Sequence, residues 1–209
     1  MASTQTPYGF RAVNELGGLP YAGSTRSFPI DPAGYGTNIF NGSLVYVAAT
    51  GYLQIVTSVG SNDSTTYFPT GSAGSATNTG SIGVFVGCSY VNAQGQTIFS
   101  QYYPANALNA IAFVVDDDRA VFQVQANNTV AASALGTNVF LAAAQSTSTG
   151  STTNGNSTTA VSASSVATSA AFRIVGFVNN AQSQVGDAYT DLLVKFNPGY
   201  HSYTIAIGL

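Results

Sequence analysis

From residue 44 onward the chain is built of short runs in which apolar and polar positions alternate. LVYVAATGYLQIV, residues 44–56, is two apolar runs broken at Thr50 and Gly51, the signal of a hairpin. In IGVFVGCSYV, residues 82–91, Ile82, Val84, Val86, Cys88 and Tyr90 share one face of an extended strand. NAQG follows as a turn, with Gly95 able to take a positive φ, and leads into QTIFSQYY. AVFQVQA, residues 120–126, sends Phe122 and Val124 inward and Gln123 and Gln125 outward. FRIVGFV, DLLVKFN and SYTIAIGL carry the series to the C-terminus. So many short alternating runs predict antiparallel sheets with one wet face. The fold class is all-β: an antiparallel β-barrel or sandwich, with a jelly roll among the arrangements open to it.

Three segments break the pattern. Residues 1–42 hold seven glycines and four of the chain's seven prolines, in phrases such as GGLPYAG and FPIDPAGYG. Proline fixes φ and biases the preceding residue towards extended geometry, so regular secondary structure is not expected there. Such an extended N-terminal arm is expected to lie on a neighbour, either the domain or another subunit. Residues 43–209 then form a single β-domain. NNTVAASALG, residues 127–136, fits one or two helical turns, with Asn128 or Thr129 as N-cap and Gly136 just past the end. Residues 145–170 contain 15 Ser or Thr in 26 positions, without a charge or an aromatic ring. This tract is expected to be a long loop or an edge hairpin held by a partner.

Composition changes the picture mainly through charge. Five basic and eight acidic residues in 209 leave a net charge of −3, where an ordinary globular chain is about a quarter charged. The polar surface is therefore made of Ser, Thr, Asn, Gln and Gly. Lys195 is the single lysine, so no basic stripe exists to neutralise phosphates, and neither nucleic acid nor an anionic membrane is an expected partner. No apolar run is long enough for a transmembrane helix. Hydrophobic content of 45%, with 12 Tyr and 12 Phe, argues against disorder. A chain of this length buries roughly 70% of its unfolded surface. The N-terminal residues carry no apolar signal-peptide core, so synthesis and folding in a cytoplasm are expected. Cys88 is alone and has no internal disulfide partner.

Candidate chemistry is thin. Asp116, Asp117, Asp118 and Arg119 form the one dense charge cluster. Adjacent residues of a strand point to opposite faces, so three consecutive carboxylates converge only at a turn. The spacing of a calcium loop and its closing glutamate are both missing. The cluster is expected to cap a bend between IAFVV and AVFQVQ. Asp187 and Asp191 would lie about 13 Å apart in a strand. Paired glycosidase carboxylates need roughly 5 to 9.5 Å. A turn residue at Asp187 and a strand start at Asp191 are expected instead. His201 is the only histidine, and no GxSxG or HExxH motif accompanies it. Cys88 falls in the inward register, where a thiol behaves as a small hydrophobe. The Asn-x-Ser/Thr matches at Asn41, Asn62, Asn127 and Asn156 are expected by chance in such a composition. No catalytic residue, cofactor or metal site is assigned, and an enzyme is not expected.

A resemblance adds to this reading. GVFVGCSY at 83–90, AFVVDDDRAVFQVQ at 112–125, ALGTNVFL at 134–141, RIVGFVNN at 173–180 and VGDAYTDLLVKFN at 185–197 form an ordered series. Together, across about residues 8–205, they resemble the capsid decoration, or cement, proteins of tailed bacteriophages. The Ser/Thr tract at 145–170 departs from that family, where a shorter segment is expected. The resemblance implies a structural virion protein on the outer surface of the capsid, bound to the major capsid protein as a homotrimer and stabilising the shell. Candidate interface residues are the scarce cations Arg11, Arg26 and Arg119, and the rings of Tyr102, Tyr103, Tyr200, His201 and Tyr203. A charge-poor surface suits large interfaces, whose buried centres are depleted in charge. The alternative is a tail, collar or fibre component whose β-surface binds host glycans, which exposed tyrosines in QYYP and GYHSY would favour.

Overall fold

The structure is a computed structural model that describes residues 4–57, 80–163, 170–180 and 183–204. Eleven strands are formed among the described residues: β1 (Arg11–Glu15), β2 (Arg26–Pro29), β3 (Leu44–Val47), β4 (Leu53–Ile55), β5 (Gly83–Val91), β6 (Thr97–Ser100), β7 (Leu108–Val115), β8 (Ala120–Gln125), β9 (Asn138–Val139), β10 (Phe172–Phe177) and β11 (Asp191–Phe196). One sheet runs β1-β8-β11-β10-β9. The other runs β2-β7-β5-β3-β4, with β6 also paired to β5. Every strand pairing within both sheets is antiparallel, and both sheets keep open edges rather than closing into a barrel. The architecture is a sandwich, in agreement with the all-β reading.

Two buried layers hold it together. The first lies between the sheets, where Leu44, Val84 and Val115 of one meet Phe122, Val124, Phe172, Ile174, Val194 and Phe196 of the other. Phe10 packs at its centre, 4.8 Å from Phe172 and 6.3 Å from Phe122 between ring centroids. Each such buried side chain contributes about 1.5–3 kcal/mol relative to exposure. The second layer covers the opposite face of the β5 sheet. There Phe85, Cys88, Ala112 and Val114 lie beneath Ile30, Ile39 and Tyr103. The central strand β5 is thus buried on both faces at its start, with Val84 in one layer and Phe85 in the other. The single face expected for Ile82, Val84, Val86, Cys88 and Tyr90 is corrected: Val84 and Val86 belong to the first layer, while Ile82, Cys88 and Tyr90 belong to the second, because the register shifts between Phe85 and Gly87. Gly83 is required at this point: φ is +151°, and a Cβ there would lie 2.0 Å from the Val115 carbonyl oxygen.

The N-terminal segment corrects the expectation of an arm without regular structure. It supplies an edge strand to each sheet, and it places Phe10 in one core and Ile30 and Ile39 in the other. Burial explains this better than propensity does: a four-residue strand ending at Pro29 is tolerated at an edge, where its missing N–H is not needed. The helical turns expected at 127–136 reduce to a single 3₁₀ turn, Ala132–Ala134, without a side-chain cap. Gly136 does close it with φ of +82°.

The described part of the Ser/Thr tract, through residue 163, is held by the domain itself. Gln145 is buried, donating through Nε2 to the carbonyls of Leu44 (3.1 Å) and Val56 (2.8 Å) and accepting the Leu44 N–H (2.9 Å). It acts as a polar rung beside β3. Gly150 sits against the Phe40 ring, so close that a Cβ would come within 2.2 Å. At the C-terminus Ser202–Thr204 forms a 3₁₀ turn rather than a strand, and the rest of SYTIAIGL lies outside the described residues.

Candidate functional site

The Asp116–Arg119 cluster is a bend between the two sheets, since β7 belongs to one and β8 to the other. Asp117 Oδ1 accepts the Arg119 N–H at 2.8 Å, the side-chain cap that a turn of this composition favours. Asp116 leaves the turn and reaches across to two other elements. Its Oδ2 receives Arg26 Nε of β2 at 3.1 Å and the Tyr203 hydroxyl at 2.7 Å. Arg26 Nη1 closes the triangle on the Tyr203 oxygen at 2.8 Å. Burial, and then the negative charge of Asp116, push the Tyr203 hydroxyl up to about 12.

His201 stands behind this triangle. It is fully buried, edge-on to Phe196 at 5.2 Å and to Tyr203 at 5.3 Å between centroids. Its Nδ1 accepts the Tyr203 N–H at 3.3 Å, while Nε2 is buried without a well-formed hydrogen bond. Burial lowers its pKa from the ordinary 6.5, against the opposing pull of Asp118, Asp116 and Asp117. The chain on either side is locked: Ser81 N–H donates to the Tyr200 carbonyl at 3.0 Å, and Ser202 N–H to the Ser81 carbonyl at 2.8 Å.

Residues 4–8 lie over the outer face of the other sheet. Gln125 Oε1 accepts the Thr6 N–H at 3.0 Å, and Gln123 Nε2 donates to the Tyr8 hydroxyl at 2.8 Å. Both glutamines point outward as expected, but Gln125 is buried under this strap. Arg11 stacks over the Tyr8 ring, 4.4 Å from its centroid. Asp191, at the start of β11, is raised in pKa by burial, although Tyr8, Gln123 and Arg11 all favour its charged form. Asp187 lies in the preceding turn, where it accepts the Gln184 N–H at 3.1 Å through Oδ2.

The candidate interface residues are therefore divided. Arg26 and Tyr203 converge at Asp116 with His201 behind Tyr203, and Arg11 of β1 stacks on Tyr8 of the strap. Arg119 is exposed on the bend. Tyr102 is half-buried and stacks on Phe40 at 5.7 Å. Three candidates are corrected as surface residues: Tyr103, Tyr200 and His201 are buried. Tyr103 is a core post, its hydroxyl donating to the Ala107 carbonyl at 2.9 Å and accepting the Tyr35 N–H at 2.8 Å. Cys88 is buried as expected, its thiol pushed up to about 12 by desolvation. Among the described residues, no group of three His, Cys, Asp or Glu side chains is placed to hold a metal ion.

One surface feature escaped the sequence reading. On β7, Ala110, Ala112 and Val114 face the second core, so Ile111 and Phe113 point to the sandwich side. Pro29, Ile111, Ser89 and Phe99 form a cross-strand row over β2, β7, β5 and β6. Phe99 is 76% exposed and Ile111 39%. Beside them a shallow depression of about 300 Å³ is lined in part by Val86, Gly87, Phe113 and Gln101. The row contains no ionisable side chain. No family model, curated protein or solved structure matches the chain.

Proposed function

We propose that the chain is a structural virion protein that binds the outer surface of a tailed-bacteriophage capsid, as a homotrimer against the major capsid protein, and reinforces the shell. The ordered phrases from GVFVGCSY to VGDAYTDLLVKFN motivate this reading. The observation that carries it is the exposed row Pro29–Ile111–Ser89–Phe99, an uncharged and mainly apolar sheet face. Interface centres are depleted in charge and enriched in aromatic side chains, and a few such anchors carry most of the binding energy. The glycan-binding reading has less support, because Tyr103 and Tyr200 are buried and form no platform for a sugar ring.

Phe99→Ser tests the proposal. Phe99 is exposed, so the fold should change by no more than about 0.5 kcal/mol. Loss of one interface anchor should weaken retention on particles about tenfold or more, or about 1.4 kcal/mol. A map of intact particles should place the wild-type chain outside the shell with β6 against its neighbour. Density only at the tail or collar, with unchanged retention of the variant, would sink the reading.

A further inference from the structure

We infer that the C-terminal turn is a proton-operated clasp, in which protonation of His201 detaches Tyr203 from Asp116 and Arg26. The inference stands on the geometry of the clasp and does not depend on capsid binding.

The clasp ties together three elements far apart in sequence. Tyr203 brings the C-terminal 3₁₀ turn, Asp116 the bend between sheets, and Arg26 the edge strand β2. Tyr203 is held in place from behind by its own N–H on His201 Nδ1. That bond needs an unprotonated Nδ1, so the ring proton of the neutral imidazole sits on Nε2. When a proton from solvent adds to Nδ1, two donors face each other and the bond is lost. The cation also gains no neutralising partner in its buried position, between Phe196 and Tyr203. The opposite charges that act on it are Asp118, Asp116 and Asp117, all on the bend to which Tyr203 is tied through Asp116. The β11 side presents Phe196 and the 81–82 side presents Ser81 and Ile82, none of them ionisable. The charged ring is therefore drawn out towards the aspartates, and the turn carrying Tyr203 moves with it.

The sign follows from burial. The neutral ring is favoured in the folded chain, so its folded value lies below the ordinary 6.5. The stability it contributes is complete above about pH 6.5 and is lost as the pH falls below that value towards the folded pKa. Arg26, exposed at the β2 edge, keeps its ion pair with Asp116 when the clasp opens, and its Nη1 loses the Tyr203 hydroxyl.

NMR of the full chain, with labelled histidine and tyrosine rings, tests this between about pH 8 and pH 4.5. His201 should titrate with a midpoint below 6.5, and the Tyr203 ring should shift with that same midpoint. In His201→Gln the Tyr203 signal should stay constant between about pH 7.5 and pH 5. A Tyr203 signal that ignores the His201 titration, or follows a carboxylate midpoint near 4 instead, would overturn the clasp. If the variant does not fold, the shared midpoint in the wild-type chain decides alone.

Discussion

Three adjacent aspartates with one side-chain chemistry take three different roles. Asp117 caps its own turn, Asp116 joins Arg26 and Tyr203, and Asp118 makes no side-chain hydrogen bond among the described residues. The bend and its capping by the cluster were legible in the sequence, because a charged quartet between two alternating apolar runs has few other uses, but which aspartate caps it was not. The partners of Asp116 were not, since they lie 87 residues away at Tyr203, and Arg26 meets Tyr203 across 177. No periodicity encodes such a contact. Alanine substitution should separate the three. Asp117→Ala removes a cap, at a cost of about 0.5–2 kcal/mol. Asp116→Ala loses a charge-assisted hydrogen bond and an ion pair that solvent screens on the Arg26 side, together about 1–2 kcal/mol. Asp118→Ala should stay within about 0.5 kcal/mol. Denaturant midpoints measure the order, and a cost at Asp118 as large as at Asp116 would refute these roles.

At the level of elements, strands β3 to β8, β10 and β11 follow from alternation, and the structure keeps them. The two missed strands of the N-terminal segment have a common cause. β1 and β2 are five and four residues long, set among Gly and Pro, so their local signal is weak. They exist because Phe10 and Ile30 are drawn into the two cores and the backbone between must then pair. The strap of residues 4–8 over Gln123 and Gln125 was equally hidden, because an outward glutamine looks the same whether wet or covered. The N-terminal segment is consequently part of the folding unit. Deleting residues 2–30 removes both edge strands together with Phe10 and Ile30. Large-to-small changes at single core aromatics already cost about 3–5 kcal/mol, comparable with the whole stability of many domains. The truncated chain should show no cooperative thermal transition. A melt close to that of the full-length protein would mean that the segment is an accessory arm after all.

Over the whole molecule, the scarcity of charge sets how the surface can bind. Arg26–Asp116 is the one ion pair between side chains among the described residues, and it is spent within the chain. Arg11 is engaged with the Tyr8 ring, which leaves Arg119, on the bend, as the freest of the candidate cations. The row ending in Phe99 offers apolar area and no ionisable group. Burial of such a face is driven by removal of apolar surface from water, which added salt does not weaken by screening. Attachment through it should therefore persist from low salt to about 1 M, where the screening length falls to about 3 Å. Retention on purified particles, assayed by sedimentation across that range, measures this directly. A contact led by Arg119 would behave oppositely, with occupancy falling steadily as salt rises, and Arg119→Gln would then reproduce at low salt what high salt does to the wild-type chain. Weak salt dependence together with loss of retention in Phe99→Ser would locate the binding energy on the sheet face rather than at the bend.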